Sequence, residues 1–198
     1  MTGATGAVGS AIVPRLLQQP GSAVTLLMRA RDQQELDRRL GALLDFWDIP
    51  RDSDLARRIS PVSGDITAER FGLTPDAYQH LADHCSHIIH AAADVHMNRS
   101  LAEARRTAVA STRHVVALTR AALAAGALQK VEFLSTVGVG GRMRRVPEGW
   151  LEQEREFHNS YEQSKSEAEL LLREEIRVHD LPITVHRPSM VVGDSTSR

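Results

Sequence analysis

Tyr161 and Lys165 are the pair of residues whose types and spacing most clearly predict chemistry in this chain. Residues four apart on a helix share one face, and a 198-residue chain with two tyrosines and two lysines seldom pairs them by chance. A nearby ammonium favours a phenolate, so the pair predicts a proton donor whose pKa moves from about 10 toward neutral pH. Such a phenol can pass a proton to a carbonyl oxygen as hydride reaches the carbon.

Thr136 is the predicted third member of this site. It ends a predicted strand over residues 131–136, and its hydroxyl could hold a substrate oxygen beside the phenol. Ser135 is the competing choice, but adjacent strand residues point to opposite faces, and Thr136 lies nearer the carboxyl end. The alternative interpretation is a threonine that only caps the turn after the strand.

The first nine residues form a glycine loop, Met1 to Gly9, with glycines at positions 3, 6 and 9. The loop offers a ligand mainly backbone N–H groups, and an apolar helix follows it. A helix N-terminus favours a phosphate. The loop therefore predicts a dinucleotide-binding turn, although its spacing differs from G-x-G-x-x-G and a small-residue turn without a ligand would have the same composition.

These residues require a scaffold of alternating strands and helices. Apolar runs predict strands over residues 23–28, 59–65, 87–93, 131–136 and 183–187. The strand over 59–65 is placed at an edge because it contains a proline. Helices are expected from the glycine loop to about residue 19, with Pro14 near the first turn, and over 32–47, 75–84, 101–125 and 160–178, with Asp32 as an N-cap. This alternation predicts an α/β fold with a Rossmann-type, doubly wound parallel sheet, whose ligands bind at the carboxyl ends of the strands.

Composition limits the classes of function. With 24 Lys and Arg against 25 Asp and Glu there is no basic excess to attract nucleic acid. No apolar run approaches the about 20 residues of a membrane span. The single cysteine, Cys85, fits a reducing, cytoplasmic compartment. The length suggests one domain over residues 1–198.

A histidine-rich segment is a candidate metal site. Histidines 80, 84, 87 and 90 recur at short spacings around Cys85, and such density can bind zinc if the side chains share one face. The segment crosses a predicted helix-to-strand boundary, which would scatter the ring nitrogens. No metal site is therefore predicted.

The motifs together resemble a known superfamily. The segment Thr2 to Gly9, the pair Ser135-Thr136 and Tyr161-x-x-x-Lys165 resemble the extended short-chain dehydrogenase/reductases. Four further segments are similar to the thioester reductase and fatty acyl reductase branch, the male-sterility type: Gly64-Asp65, Ile89-His90-Ala91-Ala92, 159–165 and 187–195.

The resemblance implies a reductase that uses NADPH to convert an acyl thioester, on an acyl or peptidyl carrier protein or on coenzyme A, into an aldehyde or onward to an alcohol. It implies that Thr136 positions the carbonyl oxygen, Tyr161 donates the proton, and Lys165 binds the nicotinamide ribose. The family usually carries an asparagine near position 108, where this chain has Ala108. The implied cofactor-binding residues are Gly3, Thr5, Gly6, Ala7, Val8, Gly9, Arg29, Arg39, Asp65, Ile66, Ala91, Ala92, Ala93, Lys165, Pro188 and Ser189.

The residues after the predicted strand over 23–28 favour NADP. An NAD site places a carboxylate about 20 residues past the loop, whereas an NADP site offers arginine. Here Arg29 ends the strand, Arg31 and Arg39 follow, and Asp32 is assigned to a helix cap.

Two other functions remain open at this point. A nucleotide-sugar epimerase or dehydratase would share the glycine loop and the Tyr161/Lys165 pair, and a non-catalytic dinucleotide-binding or sensing protein would share the loop. The resemblance also predicts a chain cut at both ends, lacking the central strand before the loop and the substrate region after the last strand, and therefore binding NADPH poorly by itself.

Overall fold

Strands and helices alternate along residues 1–192, which are the residues that the computed structural model describes. The elements are α1 (Ala7–Leu17), β1 (Val24–Met28), α2 (Gln33–Phe46), α3 (Asp54–Arg57), β2 (Ile59–Ser63), α4 (Pro75–His84), β3 (His87–His90), α5 (Leu101–Ala124), β4 (Lys130–Leu134), α6 (Ser160–His179) and β5 (Ile183–His186). Short 3₁₀ turns cover Glu69–Gly72 and Val137–Gly140.

All strand pairs are parallel, as the alternation predicted. β1 pairs with β2, and β3, β4 and β5 pair in that order. The two groups meet at the start of the chain, where Thr2 forms isolated parallel bridges with Leu27 and with His90. Because parallel strands end at one edge, the loops after β1, β3, β4 and β5 share that edge. This confirms the predicted Rossmann-type architecture.

Helices cover both faces of the sheet. On β1, Leu26 packs into a cluster with α1 and α2, while the adjacent Leu27 packs into a second cluster with α4 and α5. The second face continues under α6, where Leu172 packs on Phe133 of β4. Alternate side chains of a buried strand therefore supply two separate cores, as expected for strands that are apolar on both faces.

Polar caps set the helix starts. Asp32 accepts from the Glu35 N–H at 2.8 Å, which confirms its predicted role. Asn159 accepts from the Glu162 N–H at 2.9 Å and begins α6. This cap places Tyr161 in the first turn of α6 and Lys165 one turn later, both close to the carboxyl edge of the sheet.

The prediction for Pro14 was wrong. The residue lies past the middle of α1 rather than near its first turn. A proline there has no N–H for the carbonyl of Ser10. The Trp47 indole N–H donates to that carbonyl at 2.7 Å instead, so a side chain from the end of α2 compensates for the missing helix bond.

Several strands end earlier than predicted. β2 ends at Ser63, β3 at His90 and β4 at Leu134. After β2 the chain turns away from the sheet, because the Asp65 N–H bonds to the Phe71 carbonyl at 2.9 Å. Short α3 and the 3₁₀ turn that contains Phe71 were not predicted. No helix among residues 1–192 has the length and apolarity to cross a membrane.

Candidate active site

Lys165 lies buried beneath the carboxyl edge of the sheet. Its Nζ donates to the Leu134 carbonyl at 3.0 Å and lies 5.5 Å from the centre of the Phe133 ring. Burial lowers the pKa of Lys165 to about 8, and the charge of Glu169 opposes this effect. The ammonium is thus held by β4 and retains a pKa close to the neutral range.

Tyr161 and Thr136 face each other across the start of α6. Burial raises the pKa of the Tyr161 phenol, and the Thr136 hydroxyl opposes this rise by hydrogen bonding. The prediction that Lys165 lowers the pKa of Tyr161 is therefore wrong for this structure. The physical reason is that Lys165 is directed at the Leu134 carbonyl and the phenol is half-buried.

The end of β4 separates Ser135 from Thr136. The Thr136 hydroxyl accepts from the Gly138 N–H at 3.1 Å at the start of a 3₁₀ turn. The Ser135 hydroxyl is buried and has no hydrogen-bond partner among the described residues. The structure thus brings Thr136, rather than Ser135, to Tyr161.

The glycine loop packs tightly against the segment after β3. Gly3 has φ of +78°, and a Cβ there would lie 2.5 Å from the Ala91 carbonyl carbon. A Cβ on Gly9 would lie 2.0 Å from the Gly3 oxygen. Both glycines are therefore required by the fold itself. A Cβ on Gly6, in contrast, would meet only the Gly3 oxygen, at an ordinary 3.4 Å.

The N-terminus of α1 fits a phosphate group. Gly6 is its N-cap, and within residues 1–192 no side chain caps it and no acid occupies its first turn. Thr5, Gly6 and Ala7 are exposed and Val8 is half-buried. Unpaired N–H groups at a helix N-terminus bind anions, so the donor set here matches a dinucleotide pyrophosphate.

Arg29 follows β1 and Asp65 follows β2, and Arg39 reaches Arg29 from α2. The Arg39 guanidinium donates to the Arg29 carbonyl at 2.8 Å. Burial alone would raise the pKa of Asp65, but hydrogen bonds from Thr67 and the charge of Arg29 bring it below its usual value. Ile66 follows, and its carbonyl contacts the His114 ring nitrogen at 2.9 Å. One carboxylate and two arginines thus occupy one end of the site.

A buried contact between Thr2 and His90 was not predicted. The Thr2 hydroxyl lies 2.9 Å from His90 Nδ1 and accepts from the Ala92 N–H at 3.3 Å. Burial lowers the pKa of His90 to about 3, and the charge of Lys165 adds to the effect. His90 is therefore neutral and holds the glycine loop against residues 91 and 92. The motif Ile89-His90-Ala91-Ala92 was the sequence feature from which this contact could have been predicted.

The remaining predicted residues flank these groups. The Pro188 carbonyl accepts from the Val137 N–H at 3.0 Å, which ties the exit of β5 to the turn after Thr136. Ser189, the next residue, is exposed, and Ala93 is exposed beyond Ala92. Gly193, Asp194 and Ser195, which end the last motif, lie outside the described residues.

The histidine-rich segment is spread over two elements. His80 and His84 stack on α4 with ring centres 4.2 Å apart, whereas His90 is buried at the end of β3. In the part of the chain that the structure describes, no three His, Cys, Asp or Glu side chains converge as metal ligands.

Comparison with known proteins places the chain in a family. A family model described as male sterility protein, an NAD-binding domain, matches residues 1–197. The chain belongs to this family. It is 34% identical over 194 residues to the isonitrile lipopeptide synthase of Streptomyces coeruleorubidus, covering 98% of this chain and 13% of that protein. The family consists of NAD(P)-dependent oxidoreductases.

Solved structures agree with this assignment. The terminal R domain from the myxalamid PKS-NRPS biosynthetic pathway has a TM-score of 0.83 and 30% identity, with 98% of this chain and 49% of that chain covered. This member of the male sterility protein family thus spans about half of that solved chain. A UDP-glucuronic acid 4-epimerase from Bacillus cereus, with a TM-score of 0.66 and 18% identity over 94% of this chain and 54% of that one, shares the fold alone.

Proposed function

We propose that this chain is an NADPH-dependent reductase of acyl thioesters, or the cofactor-binding domain of one, formed by residues 1–198. The observation that carries the proposal is the placement of Thr136, Tyr161 and buried Lys165 at the carboxyl edge of one sheet, which also carries the uncapped N-terminus of α1 after the glycine loop. Membership in the male sterility protein family supports it. The resemblance of this chain to reductases of carrier-bound thioesters suggests that the acyl group is attached to an acyl or peptidyl carrier protein or to coenzyme A.

Each catalytic side chain has a definite task. Thr136 and Tyr161 hold the carbonyl oxygen of the thioester, and Tyr161 donates its proton to that oxygen. Because burial raises the pKa of Tyr161, the phenol stays protonated at neutral pH and is ready to donate. Lys165 supplies a fixed positive charge beneath the site and is placed to hold the nicotinamide ribose. When bound, the cofactor would supply the hydride to the carbonyl carbon. The C–S bond then breaks, the aldehyde forms, and the thiol of the carrier or of coenzyme A leaves with the proton that Tyr161 gave to the oxygen.

Residues along the carboxyl edge of the sheet would hold the cofactor. The α1 N-terminus and residues 3–9 hold the pyrophosphate, and residues 91–93, 188 and 189 line the nicotinamide half. Asp65 and Ile66 border the adenine. Arg29 and Arg39 favour the 2′-phosphate of NADPH over the free hydroxyl of NADH. The free cysteine Cys85 supports a reducing, cytoplasmic compartment.

The exposed apolar residues support an acyl substrate. Six of them follow β3, β4 and β5, at the edge that carries Thr136 and Tyr161, where an acyl chain would lie in the proposed reaction. These residues are Val95, Met97, Val137, Met190, Val191 and Val192.

The deciding experiment follows NADPH absorbance with an acyl-coenzyme A and with the same acyl group on a carrier protein. We expect net NADPH oxidation, and a loss of about 100-fold or more in Tyr161→Phe, since a positioned proton donor contributes that much. Tyr78→Phe is the matched control, because Tyr78 packs on Phe71 in the core.

Arg29→Ala should reduce the preference for NADPH over NADH.

Other outcomes would favour the alternatives. A nucleotide-sugar epimerase or dehydratase would turn over a nucleotide sugar without net NADPH consumption. A sensing protein would bind NADPH without turnover, and Tyr161→Phe would leave its function unchanged. Equal affinity for NADH and NADPH would contradict the assigned role of Arg29.

A further inference from the structure

Glu169 and Arg187 form a buried ion pair close to the candidate active site. The Arg187 guanidinium donates to both carboxylate oxygens of Glu169, through Nε at 3.0 and 3.1 Å and through Nη2 at 2.6 Å. The Arg187 side chain is only 15% exposed and the Glu169 side chain only 5%. A bidentate pair with so little solvent contact fixes the orientation of the carboxylate.

This carboxylate lies one helical turn from Lys165. Glu169 follows Lys165 by four residues on α6, so the two side chains share a face, and both are buried. Glu169 acts on Lys165 electrostatically by favouring its charged form. Arg187 comes from the exit of β5, so the pair also joins that strand to α6.

A third cation faces the same carboxylate. Arg155 donates to the Val139 carbonyl at 2.7 Å and to the Ser166 hydroxyl at 2.6 Å, and the charges of both Glu169 and Arg187 act on it. Glu169 is therefore an anion surrounded by Lys165, Arg187 and Arg155. Buried like charges repel strongly unless an anion lies between them.

We propose that Glu169, whose charge Arg187 partly offsets, is a positioning residue that keeps the Lys165 side chain charged and directed at the end of β4. The inference rests on the proposed function for the role of Lys165, but the placement of the charges does not depend on it. Glu169 contacts neither substrate nor cofactor in this proposal and acts only through Lys165.

Other groups also face Lys165 and must be accounted for. His90 lies on β3 and is neutral, Tyr161 lies on the same helix, and the Leu134 carbonyl and Phe133 ring lie on β4. The Arg187 guanidinium, at the exit of β5, binds Glu169 and so partly offsets the negative charge that acts on Lys165. Removing Glu169 and removing Arg187 should therefore shift the pKa of Lys165 in opposite directions.

The chain offers a direct readout because Lys130 and Lys165 are its only lysines. Full-length protein grown with [¹³Cε]lysine gives two signals in a ¹H–¹³C spectrum, and a pH titration reports the midpoint of each. Lys130, on the amino end of β4, serves as a reference in the same sample. The measurement needs neither cofactor nor turnover, so it remains informative if the proposed reaction is wrong.

We expect Glu169→Gln to lower the Lys165 midpoint by about one pH unit, because an opposite charge at short range is lost. Arg187→Met should raise it, because a like charge is lost. Glu167→Gln is the matched control: Glu167 lies on the same helix and forms a two-point pair with Arg105 at 2.7 Å, yet on another side. It should leave the midpoint unchanged.

An unchanged Lys165 midpoint in Glu169→Gln, or a fall in Arg187→Met, overturns the proposal. If one variant does not fold, as judged by the dispersion of its methyl signals, the other still decides the direction. A purely structural ion pair would affect stability in both variants without opposite shifts of the Lys165 midpoint.

Discussion

At the scale of single residues, the three loop glycines have different physical roles. Gly3 and Gly9 have no space for a Cβ, whereas Gly6 has ordinary space and a φ of −87° that alanine can adopt. Substitutions in this one loop can therefore distinguish what the fold requires from what a bound ligand requires. In the proposed cofactor complex, Gly6 is the position at which a side chain would meet the pyrophosphate rather than the protein.

We predict that Gly6→Ala leaves the free energy of unfolding within about 0.5 kcal/mol of the parent but weakens NADPH binding by about tenfold or more. Gly9→Ala should destabilise the fold by about 2 kcal/mol or more, because its Cβ would overlap the Gly3 oxygen. Urea unfolding and fluorescence titration with NADPH measure the two effects. Unchanged NADPH affinity in Gly6→Ala would show that the loop does not hold the pyrophosphate.

His90 should make stability depend on pH. Its pKa is about 3 in the folded protein and about 6.5 when unfolded, so between these values the unfolded chain binds more protons. Stability contributed by neutral His90 is therefore complete above pH 6.5 and is lost as pH falls toward 3. The slope is at most about 1.4 kcal/mol per pH unit.

Unfolding free energies measured at pH 5 and pH 7 test this prediction. His90→Asn, which can keep a hydrogen bond to Thr2, should remove most of the difference. His87→Asn changes an exposed histidine on the same strand and should not. An equal pH dependence in His90→Asn and the parent would exclude His90 as its source.

At the scale of elements, the sequence predicted the helices and strands that follow local rules. Asp32 begins α2 and Pro75 begins α4 as expected, and the apolar runs locate all five strands. The features that were not predicted depend on partners distant in sequence. The missing helix bond at Pro14 is compensated by Trp47, and the Glu169 carboxylate is oriented by Arg187. Spacing along the chain carries no signal for such contacts, and 22 arginines among 24 basic residues hide any single one.

The Trp47 contact predicts coupling between α1 and α2. Trp47→Phe leaves the Ser10 carbonyl unpaired and should cost about 1–3 kcal/mol of unfolding free energy. In a Pro14→Ala background the new Ala N–H can bond that carbonyl, so the same substitution should cost less. Chemical denaturation of the four proteins gives the coupling energy, with the more exposed Trp150→Phe as control. Additive effects would contradict the compensation.

At the scale of the whole molecule, two groups of strands meet at two residues. The Met1 ammonium donates to the Thr25 carbonyl at 2.6 Å, and the Leu27 N–H donates to the Met1 carbonyl at 2.9 Å. On the other side, the Thr2 N–H donates to the Ile89 carbonyl at 2.9 Å. β1 and β2 therefore join β3, β4 and β5 through few backbone bonds. The proposed cofactor would span this junction, because Arg29 follows β1 on one side of it and Lys165 contacts β4 on the other.

This junction predicts two levels of amide hydrogen exchange. Amides of β3 to β5, a three-stranded group under α4 to α6, should exchange more slowly than those of β1 and β2, because local stability follows packing. Thr2→Val removes the hydroxyl that contacts His90 and should widen the difference, whereas Thr25→Val, whose hydroxyl makes no hydrogen bond within residues 1–192, should not. NADPH should slow exchange in both groups and narrow the difference, since a ligand spanning the junction opposes separate opening. Uniform exchange across all five strands in the parent and in Thr2→Val would show that the sheet opens as one unit despite its narrow connection.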